Sequence, residues 1–220
     1  MQIDLPHAWV NNVTEAKVIQ EQLRDRVVRE DCLSEVNYVA GVDIGFENKY
    51  AITKAAIAVL SFPELELVET AIARIPTVFP YVPGYLSFRE IPAILEAIPQ
   101  IKTTPDLLLC DGQGIAHPRR LGIASHLGVL LDLPTIGVAK SLLTGKHEAV
   151  PTEKGNWQPL IDKGETIGAV LRSRTNVKPI YISIGHKISL PTAISYVIQC
   201  LTKYRLPETT RWADKLASNK

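Results

Sequence analysis

Apolar positions recur along this chain with two periods, and the switches between them mark the elements. In residues 14–30, Ala16, Ile19, Leu23 and Val27 repeat at helical spacing, with Glu15, Lys17, Glu21, Arg24 and Arg29 on other faces. That pattern predicts a helix capped by Thr14. Residues 38–44 then read as a buried strand, 45–50 as a turn, and 51–62 as a second strand that Pro63 closes. Residues 65–75 alternate as a third strand, and three strands with short connections imply an antiparallel meander. A proline-rich loop over 76–86 precedes a helix whose apolar face is Ile91, Ile94, Leu95 and Ile98. Further strands are predicted at 107–111, 135–140, 166–172 and 179–184, and helices at 120–131, 191–203 and 208–217. Residues beyond Gly145 read as a polar stretch containing Trp157.

The order β-β-β-α-β-α-β-α describes an α/β domain, a mixed sheet with helices packed on it. With 220 residues and no internal repeat or linker, one domain spanning 1–220 is expected. The succession resembles the ribonuclease-H-like architecture, an antiparallel three-strand meander continued by parallel strands. That resemblance implies that the first and fourth strands lie side by side.

Charge changes the picture little. Twenty-four Lys and Arg against 23 Asp and Glu mean that any nucleic-acid footprint is a local patch. Candidates are Arg119, Arg120, Lys140, Lys146, Arg172 and Arg174. The three cysteines show no CxxC pair and no zinc spacing with histidine. Cys110 and Cys200 lie in apolar runs and read as buried thiols, which suits a reducing cytosol. The Met-Gln-Ile-Asp-Leu-Pro-His start lacks a basic region followed by an apolar stretch, and no run approaches the ~18 apolar residues of a membrane span. A soluble cytoplasmic protein is expected.

Chemistry concentrates where strands end. Asp43 and Asp111 each close an apolar run and precede glycine, in Val-Ala-Gly-Val-Asp43-Ile-Gly and Leu-Leu-Leu-Cys-Asp111-Gly-Gln-Gly. Each alone fits an Asx turn. Two together at buried strand ends would repel, unless a cation sits between them. The absence of accompanying thiolates or histidines favours Mg²⁺, with Mn²⁺ as its substitute. Glu90 stands at capping-box spacing from Ser87, so the residues leave it open between capping and catalysis. Gly112 and Gly114 allow close backbone approach to a ligand, and the amides opening the next helix favour an anion. His117 in this stretch reads either as a phosphate contact or as a partly exposed loop residue. His126, on an apolar helical face, reads as packed. Lys140, at the end of a strand, is either solvated or placed against a phosphate.

The segments Val39-Ala-Gly-Val-Asp43, Pro80-Tyr81-Val82-Pro83-Gly84-Tyr85-Leu86-Ser87-Phe88-Arg89-Glu90, Asp111-Gly-Gln-Gly-Ile-Ala-His117-Pro-Arg and Ile136-Gly-Val-Ala-Lys140 together resemble the motif set of the endonuclease V family. The similarity continues through Trp157-Gln-Pro-Leu, Ile167-Gly-Ala-Val-Leu-Arg172, Lys178-Pro-Ile-Tyr-Ile-Ser-Ile-Gly-His186 and Leu206-Pro-Glu-Thr-Thr-Arg211. It implies a Mg²⁺-dependent repair nuclease acting at hypoxanthine, the product of adenine deamination. Such an enzyme cuts the second phosphodiester bond on the 3′ side and leaves 3′-hydroxyl and 5′-phosphate ends. The resemblance assigns Asp43, Glu90 and Asp111 to an acidic triad, and Lys140, with His117, to the phosphate. Pro80, Tyr81, Val82 and Pro83 become a wedge at the lesion, and Gly84, Leu86, Gly112, Gly114 and Ile123 the base pocket. Asp214 is the weakest of the implied metal ligands. Implied partners are deoxyinosine DNA and inosine-containing RNA; a monomer is expected because no added domain is evident.

The wedge makes sense physically. A base must leave the stack to be read, and a proline-stiffened loop with an aromatic tip can fill the gap. Two other readings remain. Gly41-Val-Asp43-Ile-Gly45 also resembles the phosphate hairpin of the actin, Hsp70 and sugar-kinase group, although no second hairpin follows. A non-cutting inosine-binding module is the other, although all three carboxylates and Lys140 are present.

Overall fold

The computed structural model describes residues 3–218, so the leader reading at Met1 and Gln2 falls outside the described residues. The elements are α1 (Val13–Leu23), β1 (Tyr38–Glu47), β2 (Ile52–Ser61), β3 (Leu67–Pro76), α2 (Leu86–Ala97), β4 (Leu107–Asp111), α3 (Ile123–Leu131), β5 (Thr135–Ala139), β6 (Trp157–Asp162), β7 (Glu165–Leu171), β8 (Ile180–His186), α4 (Leu190–Gln199) and α5 (Glu208–Ala217). The eight strands form one sheet in the order β3-β2-β1-β4-β5-β8-β7-β6. β1–β2–β3 is the expected antiparallel meander. β1, β4 and β5 run parallel, whereas β8, β7 and β6 return antiparallel and make a second meander. β1 and β4 are neighbours, with Val42 opposite Cys110, one step before Asp43 and Asp111.

Strand alternation sorts the core into two layers. Val39, Leu107, Leu109, Ile136 and Val138 pack on the face that carries α4 and α5. Ala40, Val42, Leu108 and Cys110 pack on the other face, against α2 and α3. Asp43, Asp111 and Lys140 continue the first set at period two, so all three strand ends belong to the α5 face. α5 lies very close there. A Cβ on Gly41 would stand 1.9 Å from the Thr209 carbonyl oxygen, and one on Gly45 would stand 2.3 Å from that of Ala217. Glycine is therefore needed on both sides of Asp43, and the helix lies across that carboxylate. The buried Lys54 donates from Nζ to the Leu216 carbonyl at 2.5 Å, a cation at the helix's negative end.

Several sequence expectations need correction. α1 is capped by Asn12, which accepts from the Glu15 amide, and it ends at Leu23. Beyond a single 3₁₀ turn, Val28 donates to His186 Nδ1 and accepts from the Lys187 amide, so tertiary bonds replace the helix. β1 runs through Gly45 to Glu47, and the turn falls at Asn48, Lys49 and Tyr50, all with positive φ. α3 starts at Ile123 because Arg120 adopts a φ of 59°. β6 is a strand inside the stretch read as polar; Pro159 lacks an amide hydrogen and is accommodated because β6 is the sheet's edge. Cys110 and Cys200 are buried free thiols, as expected. Among the described residues no helix is long and apolar enough to cross a membrane.

Candidate active site

The ends of β1, β4 and β5 present Asp43, Asp111 and Lys140 together. The Lys140 ammonium contacts Asp111 Oδ2 directly and lies 3.4 Å from Asp214 Oδ1 on α5. Burial, and after it the charge of Asp111, pushes Asp43 up to about 7, against the pull of Lys140 and of the Ile44 amide. Burial also raises Asp111, although Lys140 opposes the shift. Glu90 enters from α2; burial and the charges of Asp43 and Asp111 push it up to about 8. Lys140 stays above its usual value because Asp111, Asp43 and Asp214 outweigh the cost of its burial. Glu90 is not part of a capping box: the helix starts one residue before Ser87, whose hydroxyl instead pairs with His126 Nδ1 at 3.1 Å. His126 is fully buried, as its position on an apolar face predicts.

This is an excess of carboxylate with one ammonium, and every donor is a hard oxygen. The donor set fits Mg²⁺ or Mn²⁺. Among the described residues no three such side chains already form a cage, and Asp111 is paired with Lys140. A cation would compete with that ammonium.

A cavity of about 370 Å³ opens beside the cluster and is lined by Glu90, Asp111 and Lys140. Four of the five expected base-pocket residues, Gly84, Leu86, Gly112 and Ile123, line it, and so do Tyr81 and Pro83. Gly112 is required by its φ of 148° and by Ile123 Cγ2, which would lie 2.6 Å from a Cβ. Gly114 does not line the cavity. It lies behind, where a Cβ would stand 1.9 Å from the Ile184 carbonyl oxygen, so it serves packing. Nor are the glycine amides free: Gly112 donates to Val138 O at 3.4 Å and Gly114 to Ser183 Oγ at 2.8 Å. At the starts of α2 and α3, whose N-cap residues Tyr85 and Gly122 make no side-chain cap, Leu86, Ser87 and Ile123 line the cavity, whereas the Phe88 and Ala124 amides are taken by the carbonyls of Tyr85 and Gln113.

The loop Pro80–Pro83 carries Tyr81 at an exposed tip, 68% accessible. Both of its ends are pinned. Arg89 Nη1 donates to the Phe79 carbonyl at 3.2 Å, and Phe79 is buried against Phe88. The Gly84 carbonyl accepts from Gln20 Nε2, His117 Nε2 and Arg119 Nη2 at 3.0, 2.9 and 2.6 Å.

His117 is therefore a loop tether. It is buried rather than partly exposed; Nδ1 accepts from the Arg119 amide, which leaves Nε2–H for Gly84. Burial and the charge of Arg119 lower it to about 4, so it is neutral and has no proton to offer a phosphate at physiological pH. The expected basic patch is also largely committed elsewhere. Arg119 stacks on Tyr85 at 4.0 Å, Arg120 pairs with Asp162 and Glu165, and Arg172 donates to the carbonyls of Val150, Pro151 and Val177. The sequence does not foreshadow Gln20, which lies in no motif segment, and it shows Arg119 as a cation of the Asp111–Arg119 segment without its tethering role. The kinase reading fails on Gly45, which is paired with Lys54 inside the sheet and covered by α5.

Comparison with known proteins places this geometry. A family profile described as Endonuclease V matches residues 21–215. Endonuclease V of Rippkaea orientalis is 75% identical over 220 residues, covering 100% of this chain and 96% of that protein. The crystal structure of endonuclease V from Streptomyces avermitilis superposes with a TM-score of 0.91 at 40% identity, covering 100% of this chain and 97% of the other. That of Ciona intestinalis endonuclease V, in complex with a 24mer DNA containing an inosine followed by a ribo-adenosine, gives 0.82 at 34% identity, covering 94% and 96%. With its strand-end carboxylates, its pinned loop and a match over nearly its whole length, the chain belongs to the endonuclease V family.

Proposed function

We propose that this protein is a Mg²⁺-dependent DNA repair nuclease that recognises hypoxanthine and hydrolyses the second phosphodiester bond 3′ to it, leaving 3′-hydroxyl and 5′-phosphate ends. One observation carries the reading: the cavity joins the Glu90, Asp111 and Lys140 cluster to the Tyr81–Gly84 loop. The inosine-containing DNA bound by the Ciona relative supports the substrate class.

The chain's residues divide the work. Tyr81, held out on a short proline-stiffened loop, fills the stack vacated by the extruded base. The cavity receives that base, and the backbone amides of its lining residues Leu86, Ser87 and Ile123, at the starts of α2 and α3, meet the carbonyl oxygen that distinguishes hypoxanthine from adenine. Lys140 holds a positive charge where the scissile phosphate would lie. Asp43 and Asp111, with Glu90 and then Asp214, would hold Mg²⁺. When bound, the metal supplies Lewis acidity and an activated water.

The test is a labelled duplex with one deoxyinosine, an adenine control and an inosine RNA, each incubated with Mg²⁺ or EDTA. A Mg²⁺-dependent nick at the second 3′ bond of the inosine strand is expected. Binding without cutting would favour an inosine reader, and equal cutting of the adenine control would overturn the proposal.

A further inference from the structure

A second groove, of about 460 Å³, runs along the outer side of α5 and is lined by Lys203, Tyr204, Arg211, Trp212, Asp214 and Lys215. Its cations are held in place by aromatic rings. The Arg211 guanidinium lies 3.3 Å from the Tyr204 ring centroid, Lys203 approaches the same ring at 5.4 Å, and the Lys215 ammonium sits 4.9 Å from that of Trp212. Glu208, which also lines the groove, pairs with Arg211. Neither Lys203 nor Lys215 has an acidic partner among the described residues. Cations oriented in advance lose less freedom on binding an anion than loose surface lysines do.

The groove is continuous with the candidate active site at two points. Asp214 lines it and accepts from Lys140 Nζ at 3.4 Å. Arg205, next to Tyr204, donates from Nη2 to the Lys140 carbonyl at 2.7 Å and so ties the groove's loop to the strand end that presents Lys140. The base cavity also includes Lys140 and Asp111. The carboxylate cluster therefore stands between the cavity and the groove.

We propose that the groove is a backbone-tracking channel for the nucleic-acid strand after it passes the scissile phosphate, with Lys203, Arg211 and Lys215 meeting successive phosphates. This rests on the nuclease reading above. Because the base cavity lies on one side of the cluster and the cut falls 3′ of the lesion, the groove takes the 3′ continuation. It touches phosphate alone, so it contributes affinity and register but no base preference.

The experiment measures anisotropy in EDTA on fluorescein-labelled inosine duplexes that extend either three or twelve nucleotides beyond the scissile bond on the 3′ side, with a second pair varied equally on the 5′ side, over a series of KCl concentrations. The wild-type protein is compared with Lys203→Ala/Lys215→Ala; both lysines are exposed, so the fold is retained. Wild type should bind the long duplex about tenfold tighter than the short one, and the variant should bind both alike. The slope of log Kd against log salt should also fall by about 0.9 for each phosphate that the variant no longer neutralises. An unchanged length preference in the variant, or a preference that follows 5′ rather than 3′ extension, would overturn the channel. Cutting of the long duplex by wild type in Mg²⁺ separates the two readings. If wild type cuts at inosine while the variant keeps its length dependence, only the channel fails; if wild type ignores inosine, the nuclease reading fails with it.

Discussion

His117 gives its Nε2–H to the carbonyl of Gly84 at 2.9 Å, across 33 residues of sequence, and so fastens the Tyr81 loop to the turn after β4. His117→Ala is expected to loosen the loop while leaving Asp43, Asp111 and Lys140 in place. Loss of a buried hydrogen bond should cost about 1–2 kcal/mol of stability in a urea titration. KM for inosine duplex should rise severalfold with kcat nearly kept. A fall in kcat at constant KM would instead place His117 in the chemistry.

The carboxylate cluster sets a pH dependence whose sign is fixed. Asp43 and Glu90 titrate near 7 and 8 when folded, well above their ordinary values of 3.8 and 4.5. Below about pH 4 both states hold these protons and the cluster contributes no slope. From there to about pH 8 the unfolded chain releases protons that the folded one retains, so metal-free stability falls as pH rises. Mg²⁺ needs ionised carboxylates and removes the repulsion. The Tm in Mg²⁺ minus the Tm in EDTA should therefore grow between pH 5.5 and 8.5. A constant difference would put the ion elsewhere.

Asp43→Ala and Asp111→Ala should abolish cutting while inosine binding survives, since neither deletion touches the Tyr81 loop. The Asp43 change carries a second signature. Removing one of several repelling buried carboxylates should leave the metal-free protein at pH 8 as stable as wild type or more so. Clear destabilisation there would mean that Asp43 is an Asx-turn residue and not a ligand.

Tyr81→Ala alters a side chain that is 68% exposed, so stability should change by no more than about 0.5 kcal/mol. Discrimination between inosine and adenine duplexes should drop about tenfold or more in competition binding. Unchanged discrimination would remove the wedge from the mechanism.

How much of the molecule is legible in the sequence depends on where the signal resides. The meander follows from three strand-like runs with short connections, and the charged ends of the runs single out Asp43, Asp111 and Lys140. The β1–β4 adjacency that brings them together comes from the resemblance to the ribonuclease-H-like architecture, because local runs do not encode which strands pair. The bounds of α5 (208–217) are legible too, since its amphipathic pattern is uninterrupted. β6 is hidden because an edge strand needs little apolar content and tolerates Pro159. The end of α1 misleads because Val27 keeps helical spacing although the chain has turned to bond β8. His117 and Arg119 look like phosphate ligands, since composition cannot show that a carbonyl 33 residues away claims them first. The Arg211–Tyr204 stack on α5 is silent for the same reason, since sequence does not place the loop residue Tyr204 beside the helix, whereas Trp212 and Lys215 stand at i, i+3 on it.

Gly41 and Gly45 flank Asp43 on one face of β1, and each admits a backbone carbonyl of α5. Gly41→Ala would set a methyl 1.9 Å from Thr209 O and 2.2 Å from its carbonyl carbon, so the helix must retreat. Overpacking against backbone should cost about 3 kcal/mol, read from the urea midpoint. The retreat also draws Asp214 away from Lys140, so Mg²⁺-dependent cutting should fall by more than the lost stability explains, even well below the melting temperature. Thr209→Gly in the same chain should not restore either property, because the obstacle is the carbonyl and not the threonine side chain. Rescue by that second change would show that α5 is held off by side-chain packing, and the glycines beside Asp43 would then need another explanation.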